Sequence, residues 1–140
     1  MNVTTTYPKR TRVWVNGVFD ILHLGHIRLF EFAKSQGNFL RVCIDSDNRV
    51  KILKGIDRPF NNQDVRKEIL KSIRYIDEVS IFDTEEELIF MIKCYDPDVF
   101  VISDEYKDKK IIGKEYLRKI VYFNRIPEYS STNYINLLKK

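Results

Sequence analysis

The chain has 140 residues, 44% hydrophobic and 31% charged, which suits a single globular domain over 1–140 and argues against extensive disorder. Its formal charge of +4, from 24 basic and 20 acidic residues, is a mild excess that fits an anionic ligand such as a nucleotide or sugar phosphate. No block of Lys and Arg exceeds two residues, so the basic charge is dispersed and a nucleic-acid partner is not expected. The first residues, Met1 to Arg12, are polar and unlike a secretory signal, and no apolar run approaches membrane-spanning length. Cys43 and Cys94 each sit in an apolar stretch and read as buried thiols of a reducing compartment, so the expectation is a cytoplasmic protein with no membrane partner.

Short apolar runs alternate with segments of helical period. Val13-Trp14-Val15 reads as a first strand, followed by a helix from Leu24 with Ile27, Phe30 and Ala33 on one face and Gly37 at its end. Leu40 to Ile44 reads as a second strand, and the polar stretch Asp45–Gln63 as a long functional connection. Asp64 is a candidate cap for a helix whose apolar face is Val65, Ile69, Leu70 and Ile73. Val79 to Phe82 is a third strand, and Thr84 with Glu87 forms a capping box for a helix carrying Leu88, Ile89, Ile92 and Tyr95, stopped by Pro97. Val99 to Ile102 is a fourth strand, a helix is expected around Lys114 to Leu117, and Ile120 to Phe123 is a fifth strand. A last short helix begins after Ser131, with Ile135 and Leu138 inward. Such alternation predicts an α/β, Rossmann-like, doubly wound sheet of about five parallel strands with helices on both faces. Ligands bind such sheets beyond the carboxyl ends of the strands, so the loops after strands one, two, four and five carry the interest.

The loop after the first strand is the most informative. It reads Asn16-Gly17-Val18-Phe19-Asp20-Ile21-Leu22-His23-Leu24-Gly25-His26. Gly17 lets the backbone turn sharply, and His23 and His26 share one face of a first helical turn, with Gly25 leaving room for a phosphate. Unpaired N–H groups at a helix start complete an anion site. Phe19 reads more naturally as core than as a ligand contact, and Asp20 as a local hydrogen-bonding anchor rather than a base. Two His and two Cys without partner spacing do not suggest a zinc site, and no protein metal ligands are assigned.

This run resembles the signature of the cytidylyltransferase-like nucleotidylyltransferase family, Gly-x-Phe-Asp-x-x-His-x-Gly-His, and the resemblance extends from about Val13 to about Leu137. It implies an enzyme that transfers a nucleoside monophosphate from a nucleoside triphosphate to a phosphorylated sugar or polyol, releasing pyrophosphate. By the resemblance His23 and His26 donate to nucleotide phosphates, with Asn16, Gly17, Val18, Phe19 and Gly25 around the nucleotide. Mg²⁺ would accompany the ATP or CTP, bridging triphosphate oxygens. A homodimer is also implied.

The other loops supply further candidates. Asp45 opens the connection after the second strand, and Lys54 and Arg58, with Lys51 behind them, suit phosphates. Arg66 matches a family arginine that faces the phosphates; taken alone it would be an exposed helix residue paired with Asp64 or Glu68. Asp104 is a candidate for base or ribose contacts and Tyr106 for stacking or acceptor contacts, although the Gly-Gly-Asp run of heptose-phosphate relatives is absent. Arg125, Tyr129, Ser130, Ser131 and Thr132 resemble the late nucleotide-binding segment ahead of the last helix; by themselves the hydroxyls are a helix cap. The Leu53-Lys54-Gly55 and Arg58-Pro59 segments resemble the adenylyltransferase half of heptose-synthesis enzymes, while Ser72–Asp77 and Arg125 resemble glycerol-3-phosphate cytidylyltransferase. The longer phosphate-loop match tilts the expectation towards ATP with a sugar 1-phosphate. A binding module that kept the pocket and lost catalysis is the alternative of another class.

Overall fold

β-Branched and aromatic runs form five strands: β1 (Arg12–Gly17), β2 (Phe39–Asp45), β3 (Glu78–Phe82), β4 (Val99–Ser103) and β5 (Ile120–Phe123). In the computed structural model, which describes residues 9–125 and 131–139 apart from the side chains of Asn133 and Tyr134, they form one parallel sheet in the order β3-β2-β1-β4-β5. Every strand expected from the sequence is present, extended by a residue or two at most ends. The order reverses between β1 and β4, so the crevice at their carboxyl ends is where a ligand site belongs.

Alternation along the central strands builds two cores. Val13 and Val15 of β1, Leu40, Val42 and Ile44 of β2, and Val99 and Val101 of β4 pack with Leu29, Phe30 and Ala33 of α1 (Leu24–Ser35) and Leu70 of α3 (Gln63–Lys71). Trp14, Cys43 and Phe100 point to the other face, against Leu88, Ile92 and Tyr95 of α4 (Glu85–Tyr95). Both faces are therefore covered, as a doubly wound sheet requires.

Several details differ from the sequence reading. The connection after β2 is not all loop: Asp47–Lys54 forms α2, capped by Ser46, whose hydroxyl accepts from the Arg49 N–H at 3.1 Å. Only Val50 of α2 is buried, so it left no apolar stripe to read. α3 is capped by Asn62 rather than Asp64, and it buries Arg66 and Leu70 while Val65 and Ile69 are exposed. Arg66 satisfies its guanidinium internally, which turns the buried face by one residue. Cys94 is exposed because it lies two residues beyond Ile92, on the far side of α4; Cys43 is buried and its thiol is pushed up to about 12 by desolvation. Residues 114–116 make a single 3-10 turn. α5 (Ser131–Leu138) leaves Leu138 exposed, with Ile135 half-buried.

Gly37, after α1, has no room for a side chain. A Cβ there would lie 2.5 Å from the Thr11 carbonyl oxygen and 2.7 Å from Val13 Cγ2. Gly37→Ala is expected to destabilise the protein by about 1–3 kcal/mol, the scale of a forced overpacking. Urea unfolding with an unchanged m-value and a lower midpoint would show it.

Candidate functional site

The turn after β1 is shaped by Phe19 and Ile21, which adopt left-handed backbone with φ of 51° and 40°. The glycine expected to make the turn does something else. Gly17 is the last residue of β1, and a Cβ on it would meet the Phe19 ring at 3.0 Å, so it makes room for that ring. Left-handed backbone at two bulky residues costs about 1–3 kcal/mol each and persists only when the surroundings fix it. Here they do. The buried Asp20 carboxylate accepts from the backbone N–H groups of Phe60 at 2.6 Å and Asn61 at 3.0 Å. The Ser131 hydroxyl bonds the carbonyl oxygens of Asp20 and Ile21, the latter at 2.9 Å.

His23 then caps α1 in extended backbone, and its N–H donates to His26 Nδ1 at 3.2 Å. The two imidazoles stack with centroids 3.8 Å apart, and Phe19 packs edge-on against His26. Burial holds His23 below its usual value. Burial first, and then the proximity of His23 and Lys54, push His26 down to about 3. Both rings are therefore neutral near pH 7. Because His26 Nδ1 accepts, its ring proton resides on Nε2, which makes that atom a hydrogen-bond donor.

His26 also makes stability depend on pH. The unfolded chain protonates it near pH 6.5, whereas the folded chain resists until about 3. The unfolded state thus binds more protons in that window, and stability falls as pH drops through it. Between pH 6.5 and about 5, above most carboxylate titrations, the slope should approach roughly 1.4 kcal/mol per pH unit for this group. Denaturant midpoints across that range would register it, and His26→Gln should flatten the curve.

A cleft of about 480 Å³ opens at the β1/β4 reversal. Asn16, Gly17, Val18, Phe19, His23, Gly25 and His26 form one wall. Asn16 is oriented by Trp14, whose indole N–H donates to its Oδ1 at 3.1 Å. Asp45, Lys54 and Arg58 form a second wall. Asp45 is buried and ion-paired with Arg49 at 2.9 Å. Desolvation, followed by repulsion from Arg58, holds Lys54 below the usual lysine range. The Arg58 side chain is only 12% exposed; its Nε lies 3.9 Å from Asp20, and both Nε and Nη2 lack a hydrogen-bond partner among the described residues. Two cations repelling each other in one cleft, one with buried unsatisfied donors, favour a multiply charged anion. Tyr106, Arg125, Ser131 and Thr132 close the third wall, and Arg125 pairs with Glu105 at 3.1 Å. Desolvation raises the Tyr106 hydroxyl.

Three expected residues stand elsewhere. Lys51 is exposed on α2 outside the cleft, three residues before Lys54. Asp104 does not line the cleft; a 3-10 turn follows β4 in place of a glycine run, and its carboxylate lies 3.4 Å from the Arg125 N–H just after β5. Arg66 neither faces the cleft nor lies exposed beside Asp64 or Glu68. It is 1% exposed and behind the cleft wall, bonded to the carbonyls of Val18, Asp45 and Asn61 and to the Asp47 carboxylate, each at 2.9 Å. Tyr129 and Ser130 lie outside the described residues. The sequence reading missed Ser103, Lys110, Ile111 and Ile112, which also line the cleft; Ser103 ends β4 and the other three follow in a charged stretch with no local signal of a pocket.

Comparison with known proteins agrees with this geometry. Residues 14–137 match the family model described as Cytidylyltransferase-like. The chain is 41% identical over 130 residues to the bifunctional protein HldE of Campylobacter fetus subsp. fetus, covering 93% of this chain and 28% of that protein. It is 38% identical over 128 residues to the protein of the same name from Aliarcobacter butzleri, covering 91% and 27%. The chain thus spans little more than a quarter of the length of these curated relatives. Among solved structures, the lipopolysaccharide core biosynthesis protein from Thermoplasma volcanium matches with a TM-score of 0.70 at 26% identity, covering 84% of this chain and 99% of that one. Pantothenate synthetase from Thermus thermophilus, 14% identical with a TM-score of 0.61 over 91% of this chain and 62% of its own, shares the fold. The family match runs from Trp14 in β1 to Leu137 in α5 and so takes in the three walls of the cleft, and on that ground the chain belongs to the cytidylyltransferase-like nucleotidyltransferase family.

Proposed function

We propose that this protein transfers the adenylyl group of ATP to a sugar 1-phosphate, a heptose 1-phosphate by preference, and releases pyrophosphate. The observation that carries the reading is the neutral, stacked His23–His26 pair at the start of α1, facing the same cleft as Lys54 and Arg58. In the proposed reaction an oxygen of the acceptor phosphate attacks the α-phosphorus in line. The bond from that phosphorus to the bridging oxygen breaks, and pyrophosphate leaves with the electron pair. No covalent enzyme intermediate is required, so the protein's part is to position and to neutralise charge. His26 Nε2–H and His23 donate to phosphate oxygens, Lys54 and Arg58 counter the triphosphate and acceptor charges, and Thr132 at the start of α5 offers a further donor. In this reading Arg66 supports the loops from behind.

The described residues hold no cluster of three or more His, Cys, Asp or Glu able to cage a metal. Asp45 and Glu105 line the cleft, each already paired with an arginine. That donor set suits Mg²⁺ arriving with the nucleotide and keeping phosphate and water ligands, where it would offset triphosphate charge. Likeness to HldE and to the lipopolysaccharide core biosynthesis protein supports a sugar acceptor destined for cell-surface polysaccharide. We also propose a cytoplasmic homodimer; no helix of the described residues is long and apolar enough to cross a membrane.

The placement of Arg125 in the cleft favours one second reading, transfer from CTP to glycerol 3-phosphate. A pyrophosphate-release assay with Mg²⁺ decides between them. Turnover with ATP and heptose 1-phosphate is expected. Turnover with CTP and glycerol 3-phosphate alone would replace the first reading with the second, and nucleotide binding without turnover on any acceptor would leave a binding module.

A further inference from the structure

We propose that Asp20 and Arg66 are positioning residues, which together clamp both ends of the segment 47–61 and so hold Lys54 and Arg58 over the cleft without touching the substrates themselves. The inference rests on the nucleotidyl-transfer reading for its effect on activity, and on geometry alone for the clamp.

The segment runs through α2 and the turn after it. Its middle is open: Ile52 and Ile56 are 76% and 80% exposed, and Phe60 is 69% exposed. Val50 is its one fully buried apolar side chain, so packing anchors the segment at a single point. The ends are different. At the first end, Asp47 gives its carboxylate to Arg66 Nη2, and its N–H donates to Gln63 Oε1, both at 2.9 Å. At the other end, Asn61 is gripped from both sides: its N–H donates to Asp20 at 3.0 Å, and its carbonyl accepts from Arg66 Nε at 2.9 Å. Arg66 also bonds Val18 in the turn after β1 and Asp45 at the end of β2. One guanidinium thus ties three stretches of chain, at Val18, at Asp45–Asp47 and at Asn61, through three backbone carbonyls and one carboxylate. Asp20 and Arg66 are each 1% exposed, so these bonds are shielded from water and strong.

This accounts for the buried aspartate inside the signature motif. Its carboxylate accepts from two backbone N–H groups some forty residues away and lies near Arg58. It fixes the motif turn and the phosphate-binding segment with respect to each other. Arg66 requires its planar fork of donors, and a lysine's single ammonium could not span the same four acceptors.

The test uses Asp20→Asn and Arg66→Lys, each alone and combined with Arg58→Ala. Amide hydrogen exchange on the nucleotide-free chain should speed up by about tenfold or more in peptides covering 48–61 and stay unchanged in β1 and β4. In the pyrophosphate assay each single variant should raise the nucleotide KM by about tenfold or more, with a smaller fall in kcat. In the Arg58→Ala background the further loss should shrink to about twofold or less, because both changes remove the same positioning. Unchanged exchange over 48–61 overturns the proposal. So does a full additive loss, or the disappearance of one limb of the pH–rate profile in Asp20→Asn, which would make Asp20 a proton-transfer group. If one variant fails to fold by circular dichroism the other decides, and unfolding of both would reduce the pair to general scaffolding and overturn the clamp. An inactive wild-type chain would count against the transfer reading alone, since the exchange experiment does not depend on nucleotide.

Discussion

His26→Ala is expected to slow turnover by a hundredfold or more while leaving a folded protein. The scale is that of losing one transition-state donor from a site shielded from water. Two effects need to be separated. His26 Nδ1 accepts the His23 N–H, so the substitution also removes that bond from the cap of α1, at about 0.5–2 kcal/mol. That lowers the melting temperature by a few degrees, far short of unfolding a domain of ordinary stability. Its catalytic part is the loss of the Nε2 donor. His26→Asn offers an amide in a similar place and should recover part of the cap but little of the rate. Circular dichroism with steady-state kinetics on both variants checks this: a folded variant retaining near-full kcat would remove His26 from the chemistry.

The largest stability effect is expected at Trp14. Its ring is fully buried beneath α4, packed against Tyr95 with centroids 5.5 Å apart. Truncation to alanine leaves a large cavity, and Trp14→Ala should cost about 3–5 kcal/mol. Trp14→Phe is the informative companion. It keeps most of the apolar volume but deprives Asn16 of the indole N–H, leaving a cleft residue without its orienting bond. Its expected signature is a smaller loss of stability with a disproportionate rise in nucleotide KM. Urea titrations and kinetics on the pair would separate packing from orientation. If Trp14→Phe and wild type had equal KM, the bond to Asn16 would matter to the core alone.

Much of this molecule is written in local spacing. The strands are legible because each is short, apolar and bounded by polar residues, and the sheet's parallel order follows from the helices between them. The closeness of His23 and His26 is legible because the cap residue and the third residue of a helix face each other at its start. The motif therefore fixes the start of α1, the histidine pair and the place of the cleft at the end of β1.

What lay beyond the sequence depends on partners far along the chain. Arg66 becomes buried because carbonyls 48, 21 and 5 residues away converge on it, and no helical pattern foretells a charged residue facing inward. For the same reason the apolar residues Val65 and Ile69 turn out to solvent. The Asp20 carboxylate turns towards Phe60 and Asn61, 40 and 41 residues on. Left-handed backbone at Phe19 and Ile21 is sustained by those same bonds and by Ser131, so a reading of local preferences gives the turn to Gly17. The sequence by itself determined which groups meet on one helix turn and one strand end, since covalent geometry sets those distances. Only the tertiary structure decided which buried charges brace the cleft and which face it, since that choice belongs to hydrogen-bond partners that folding alone brings within reach.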